Sequence, residues 1–133
     1  MSWVFADTSF FVAYLNPRDV SHDLAHEYMT TFSEEIVTTG WVLAELGNYL
    51  AEGKNRRLFV PLVEQFRADW RSSIIPPSSE FFDQGMALYG RRPDKHWSFT
   101  DCASFIVMRR HSLTEALTGD HHFEQAGFKA LLK

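Results

Sequence analysis

Four acidic residues stand where short apolar runs or helical patterns would present a carboxylate at one end: Asp7, Glu45, Asp101 and Asp120. Asp7 closes the run Trp3-Val4-Phe5-Ala6. Asp120 follows Ala116-Leu117 through Thr118-Gly119. Glu45 lies in a helical pattern beside Val42, Leu43, Leu46 and Leu50, and Asp101 stands three residues after Ser98. Carboxylates gathered without Cys or His partners form a site for a hard divalent cation. Mg²⁺ suits such a site because it needs few carboxylates and keeps several waters, and Mn²⁺ is a close substitute. A hard cation held in this way points first to phosphate chemistry.

Each acid also has an ordinary structural use. Asp7 can cap the helix after it, and Glu45 can face solvent in mid-helix. Asp101 can close a capping box with Ser98, and Asp120 can serve a turn after Gly119. Their joint placement is what points to chemistry. Two end strands, and two lie on helices that would border those ends. Clustered carboxylates repel one another and their pKa values rise, which a bound cation relieves.

The elements that must position these residues follow from pattern. Trp3-Val4-Phe5-Ala6 reads as a buried strand, followed by a helix over 10–15 capped by Thr8 or Ser9 and ended by Asn16-Pro17. A second helix starts at Asp19 or Ser21 and runs to about Phe32. Residues 36–38 form a second strand, and a helix spans 40–52, stopped by Gly53. Leu58, Phe59, Leu62, Val63, Phe66 and Trp70 have helical spacing interrupted by Pro61. That helix either starts near Val60 with Pro61 in its first turn or kinks there. Further expected elements are a strand at 73–75, a helix from Ser78 or Ser79 to Tyr89 ended by Gly90, and a loop over 91–97. A helix from Ser98 or Thr100 to Arg110, a strand at 115–118, a short helix at 123–125 and a strand at 128–132 complete the chain. Strands separated by helices predict a mainly parallel α/β sheet. Ligands in such folds gather beyond the carboxyl ends of the strands, where Asp7 and Asp120 fall.

The 133 residues fit one domain over 1–133, large enough to bury roughly two-thirds of its unfolded surface. With 45% hydrophobic and 15% aromatic residues, disorder is not expected. The single cysteine, Cys102, excludes an internal disulfide and a Cys-based zinc site, and suits a reducing cytoplasm. It is read as a small buried residue rather than a nucleophile. The N-terminus lacks a basic start and is broken by Asp7, so no signal peptide is expected. No membrane span is expected, since about 18 apolar residues in a row are needed. A net charge of −4 argues against nucleic-acid binding by bulk charge, though not against a local basic rim. Adjacent histidines in an extended segment point apart, so neither His121 nor His122 is expected to act at the site.

Taken in order, these motifs resemble a known family. They are Val4-Phe5-Ala6-Asp7-Thr8-Ser9, Ala44-Glu45-Leu46, Trp97-Ser98-Phe99-Thr100-Asp101-Cys102-Ala103-Ser104, and Leu117-Thr118-Gly119-Asp120-His121-His122-Phe123 leading to Ala126-Gly127-Phe128. Over nearly the whole chain the sequence resembles a PIN-domain ribonuclease of the VapC toxin type. The resemblance implies a three-layer sandwich with about five short, mainly parallel strands. It implies Mg²⁺- or Mn²⁺-dependent hydrolysis of RNA, with the metal on Asp7, Asp101 and Asp120 and with Glu45 as ligand or water orienter. Asp94 resembles a further acidic position found in part of the family, and Thr8, Ser9 and Ser104 resemble small polar residues that support the site. Such toxins are usually dimers silenced by a small antitoxin. Apolar residues between Val20 and Phe82, including Phe32, Leu58, Phe59, Phe66 and Phe82, offer helix surface for such contacts. Arg91, Arg92, Lys95, Lys54 and Arg56 are the candidates for RNA phosphate contact. Trp97 can stack on a base, but a core role is the expectation. Three rival readings stand beside this one: a housekeeping RNA-processing nuclease without an antitoxin, an aspartyl phosphotransferase using Asp7, and a binding module that does not cut.

Overall fold

The computed structural model describes residues 3–31 and 34–133. Its strands are short, and the central ones are largely buried, as strands covered on both faces must be. They are β1 (Trp3–Ala6), β2 (Glu35–Thr39), β3 (Ser72–Ile75), β4 (Glu115–Leu117) and β5 (Lys129–Ala130). All pair in parallel, in the order β3-β2-β1-β4-β5. Between them run α1 (Thr8–Leu15), α2 (His22–Thr30), α3 (Gly40–Tyr49), a 3-10 turn at Gly53–Leu58, and α4 (Phe59–Ala68). The second half carries α5 (Ser79–Arg91), α6 (Phe99–Arg110) and α7 (His121–Gln125).

The strand order decides where a site can form. From β1 to β3 the chain steps outward on one side of β1, then returns to place β4 on the other side. Right-handed crossovers put the connecting helices of the two halves on opposite faces. The strand order therefore reverses between β1 and β4, and a crevice opens beyond their carboxyl ends. Ala6 pairs with Leu117 there, so the next residues, Asp7 and Thr118, leave the sheet side by side.

Two aromatic groups fill the core. Phe10, Phe11 and Phe66 pack edge to face, with centroids 5.2 and 5.4 Å apart. Phe105 meets Phe123 at 4.9 Å and Trp97 at 5.0 Å, while Phe5 on the central strand reaches Phe123. Phe66 belongs to this core, which removes it from the surface offered to a partner, whereas Phe82 is 44% exposed. Phe32 lies outside the described residues.

Several boundaries differ from expectation for local reasons. Asp7, not Thr8 or Ser9, is the N-cap residue of α1, yet its carboxylate makes no capping bond because other groups hold it. Helix α3 stops at Tyr49, and Gly53 turns the chain at φ 67°. Pro61 sits in the first turn of α4, where no intrahelical donor is lost. Gly90 does not end α5; the helix continues to Arg91 and stops before Pro93. The start of α3 lies so close to Pro77 that a Cβ on Gly40 would stand 2.4 Å from the proline ring. Strand β5 is only two residues long. No helix among the described residues is long and apolar enough to cross a membrane.

Candidate active site

Four elements deliver the four acids to one cleft of about 430 Å³ beyond the strand ends. Asp7 comes from the β1–α1 junction, Glu45 from α3, Asp101 from the first turn of α6, and Asp120 from the β4–α7 junction. In each, the protein anchors one carboxylate oxygen. Asp7 Oδ2 accepts from Thr118 Oγ1 at 3.0 Å and from Ser9 Oγ at 3.4 Å. Glu45 Oε1 accepts a short hydrogen bond from Thr8 Oγ1. Asp101 Oδ2 accepts from Ser98 N at 3.1 Å and lies 3.1 Å from His122 Nδ1. Asp120 Oδ1 accepts from His122 N at 2.9 Å. For Glu45, Asp101 and Asp120 the other oxygen has no protein partner among the described residues, while the Asp7 carboxylate also receives the Thr8 N–H.

Asp101 thus keeps its structural role and joins the site. Ser98 Oγ accepts from Asp101 N at 3.0 Å, completing the capping box. The box fixes the carboxylate at the N-terminus of α6. Asp120 likewise is the N-cap of α7. The structural and chemical readings of these acids are therefore compatible.

Burial sets the electrostatics. Asp7 is only 5% exposed, and desolvation pushes its pKa from 3.8 to about 7. Hydrogen bonds from Thr8 N–H and Thr118 oppose the rise, while repulsion from Asp101 and Glu45 adds to it. Asp101 is raised as well, first by desolvation and then by repulsion from Asp120, against bonds from Ser98 and His122. The fold holds these carboxylates in dry, mutually repulsive positions, a cost that a cation would offset.

His122 and Thr118 join the site without having been picked out by pattern. The segment is helical rather than extended, so His121 and His122 both turn toward Asp120, with Nδ1 at 3.5 and 3.4 Å from Oδ1. His122 Nδ1 also reaches Asp101, and with Asp101 ionised this nitrogen must carry the proton. The buried hydroxyl of Thr118 donates to Asp7, accepts from Asp120 N at 3.0 Å and lies 3.2 Å from Ser9 Oγ. It fastens the ends of the two central strands together.

Other expected site residues lie apart from the carboxylates. Asp94 does not line the cleft. It forms a two-pronged ion pair with Arg92, both contacts at 3.0 Å, which holds its carboxyl at about 2. Ser104 is fully buried one turn beyond Asp101, and its Oγ has no partner among the described residues. Arg91 and Lys54 are exposed. Arg56 donates to Ala51 O and lines a separate hollow with Phe59 and Val60. Lys95 and Arg92 line a cavity next to the cleft. Cys102 is buried, and burial drives its thiol up to about 11, so it is no nucleophile at neutral pH. Trp97 takes the expected core role, 5% exposed, with its indole N–H on Gln125 Oε1 at 2.9 Å.

Known proteins share both sequence and architecture with this chain. The 23S rRNA-specific endonuclease VapC20 of Mycobacterium tuberculosis is 27% identical over 125 residues, spanning 94% of this chain and 95% of its own. The crystal structure of VapC20, described as a sarcin-ricin loop cleaving toxin, superposes with a TM-score of 0.83 at 26% identity over the same shares. VapBC2 from Rickettsia felis, solved bound to a promoter DNA fragment, gives a TM-score of 0.69 at 16% identity, covering 98% of this chain and 97% of that one. FitAcB from Neisseria gonorrhoeae gives 0.61 at 18%, covering 96% and 95%. These last two share the fold. A family model for the PIN domain matches residues 4–129, and the chain belongs to the PIN-domain family.

Proposed function

We propose that this chain is a divalent-metal-dependent endoribonuclease and the toxin of a toxin–antitoxin pair. The observation that carries this is the convergence of four carboxylates from four elements, each anchored by hydrogen bonds from the protein and turned into one cleft. The donor set fits a hard cation: all oxygen from the acids, with buried Asp7 lacking a cationic side chain to neutralise it. Asp7, Asp101 and Asp120 would hold Mg²⁺ or Mn²⁺, with Glu45 as a further ligand or as orienter of water. When bound, the ion supplies a water of lowered pKa and positive charge beside the phosphate.

The protein's own groups set the geometry of that step. Thr8 fixes Glu45, whose carboxylate takes or orients the proton of the attacking water. Thr118 and Ser9 hold Asp7, and His122 holds Asp101 against Asp120. Attack by water leaves a 5′-phosphate and a 3′-hydroxyl. Attack by the ribose 2′-hydroxyl would instead leave a cyclic phosphate.

Likeness to VapC20 makes 23S rRNA the substrate of choice, and the structural neighbours support an antitoxin partner. The protein acts in the cytoplasm as a homodimer. Phe82 and Met86, one turn apart on α5 and 44% and 55% exposed, are the residues that a second copy would cover. The direct test is incubation of the purified chain with ribosomes in Mg²⁺, followed by primer extension across 23S rRNA. One discrete new end, absent with Asp7→Asn, supports the reading. Intact rRNA together with equal inactivity on other cellular RNA would sink it.

A further inference from the structure

A second cavity, of about 560 Å³, adjoins the carboxylate cleft. The two share His96 and Ser98, so they are compartments of one groove. Their chemistry is opposite. The cleft is walled by carboxylates, while the second cavity has Arg92 and Lys95 on its wall and no acidic side chain. Arg92 is spoken for: Asp94 grips its guanidinium, which lies 5.2 Å from the centroid of the Trp97 ring. Among the described residues Lys95 makes no ion pair or side-chain hydrogen bond, its charge acting only at longer range on Asp94. Tyr89, 55% exposed, supplies a flat aromatic face. Gly90 lines the cavity beside it, and nothing lies within 4 Å of where a Cβ would stand.

From this juxtaposition we infer that the second cavity is a nucleotide subsite, holding the nucleotide next to the scissile phosphate. Lys95 takes the neighbouring phosphate as a compact point charge. Tyr89 and the paired Arg92 plane offer stacking surface to the base, a contact that tolerates any base. The volume lies within the range of ligand pockets, roughly 300–1,000 Å³. An anionic strand needs such a compartment here, because the carboxylates repel every phosphate except the one facing the metal. The inference rests on the nuclease reading for the identity of its ligand.

Gly90 makes the subsite testable. It lies in the last turn of α5 on the cavity lining, so a larger residue there keeps helical backbone and adds bulk at the cavity wall. The probes are the four nucleoside 5′-monophosphates, titrated separately into the ¹⁵N-labelled protein, with inorganic phosphate as a parallel arm. The Trp97 indole N–H, held by Gln125, reports from the cavity wall. A saturable shift of that signal and of the Gly90 and Lys95 amides with a nucleotide supports the subsite. Gly90→Leu abolishes that shift, Gly90→Ala retains it, and Lys95→Met weakens binding about tenfold. The absence of a saturable shift with all four nucleotides overturns the inference. So does a full pattern with phosphate alone, or Gly90→Leu binding as wild type does. The same proteins assayed on RNA separate the two claims. A wild type that cuts RNA while Gly90→Leu keeps its KM overturns the subsite alone. A wild type that binds nucleotides at the cavity but cuts no RNA leaves the subsite standing and removes the nuclease reading.

Discussion

Asp7 is where function and stability pull apart. Its pKa of about 7 lies above the 3.8 of an unperturbed Asp, so the folded state holds the proton more tightly than the unfolded state does. Stability from this group is therefore complete below pH 4 and is lost as pH rises toward 7, on the order of 4 kcal/mol in all. Asp7→Asn removes that loss. In EDTA, urea unfolding should find Asp7→Asn more stable than wild type at pH 8, with the gap closing toward pH 4; a gap independent of pH would contradict the account. By the same linkage, metal affinity should fall as pH drops below about 7. His122 makes a separate prediction. His122→Asn should weaken Mn²⁺ binding by about 10- to 100-fold in calorimetry, because it frees Asp101 from Asp120. The four acids were legible in sequence because each ended or bordered an apolar run. His122 was not, since its role depends on a one-turn helix that makes 121 and 122 face the same carboxylate. Nor did the spacing around Asp94 reveal that Arg92 would claim it.

At the scale of elements, caps do double duty. The Ser98–Asp101 box starts α6 and aims a site carboxylate with the same pair of bonds. Ser98→Ala should therefore cost about 1 kcal/mol of stability and also weaken metal binding, while Ser98→Thr should retain both. Thermal melts paired with metal titration would check this, and a stability loss with unchanged metal affinity would contradict it. The alternation of apolar runs with helical patterns was enough to predict a parallel sheet, and the strand cores matched closely. The ends did not. The last strand shrank to Lys129–Ala130, and Gly90 passed through a helix, because tertiary contacts and Pro93 set those limits rather than local propensity. Strand order is also absent from local pattern. Only the pairing of Ala6 with Leu117 shows why Asp7 and Thr118 meet.

Over the whole molecule, a chain of net charge −4 must handle a polyanion. Signs are separated along one groove, with carboxylates at the strand ends and Arg92 and Lys95 beside them, which is the arrangement that the proposed subsite would use. A strong loss of RNA affinity between low and moderate salt is expected only if several phosphates are contacted. The proposed dimer gives a cleaner test: Met86→Glu should shift the protein from dimer to monomer in light scattering, and an unchanged mass would rule out that face. Metal-dependent hydrolysis by the four acids would leave a chemical signature on its products. The most direct measurement is the end chemistry of RNA cut by the purified protein in Mg²⁺, alongside EDTA and Asp7→Asn controls. Attack by a metal-activated water yields 5′-phosphate and 3′-hydroxyl ends that vanish in both controls. Cyclic phosphate ends, or cutting that persists in EDTA, would contradict it.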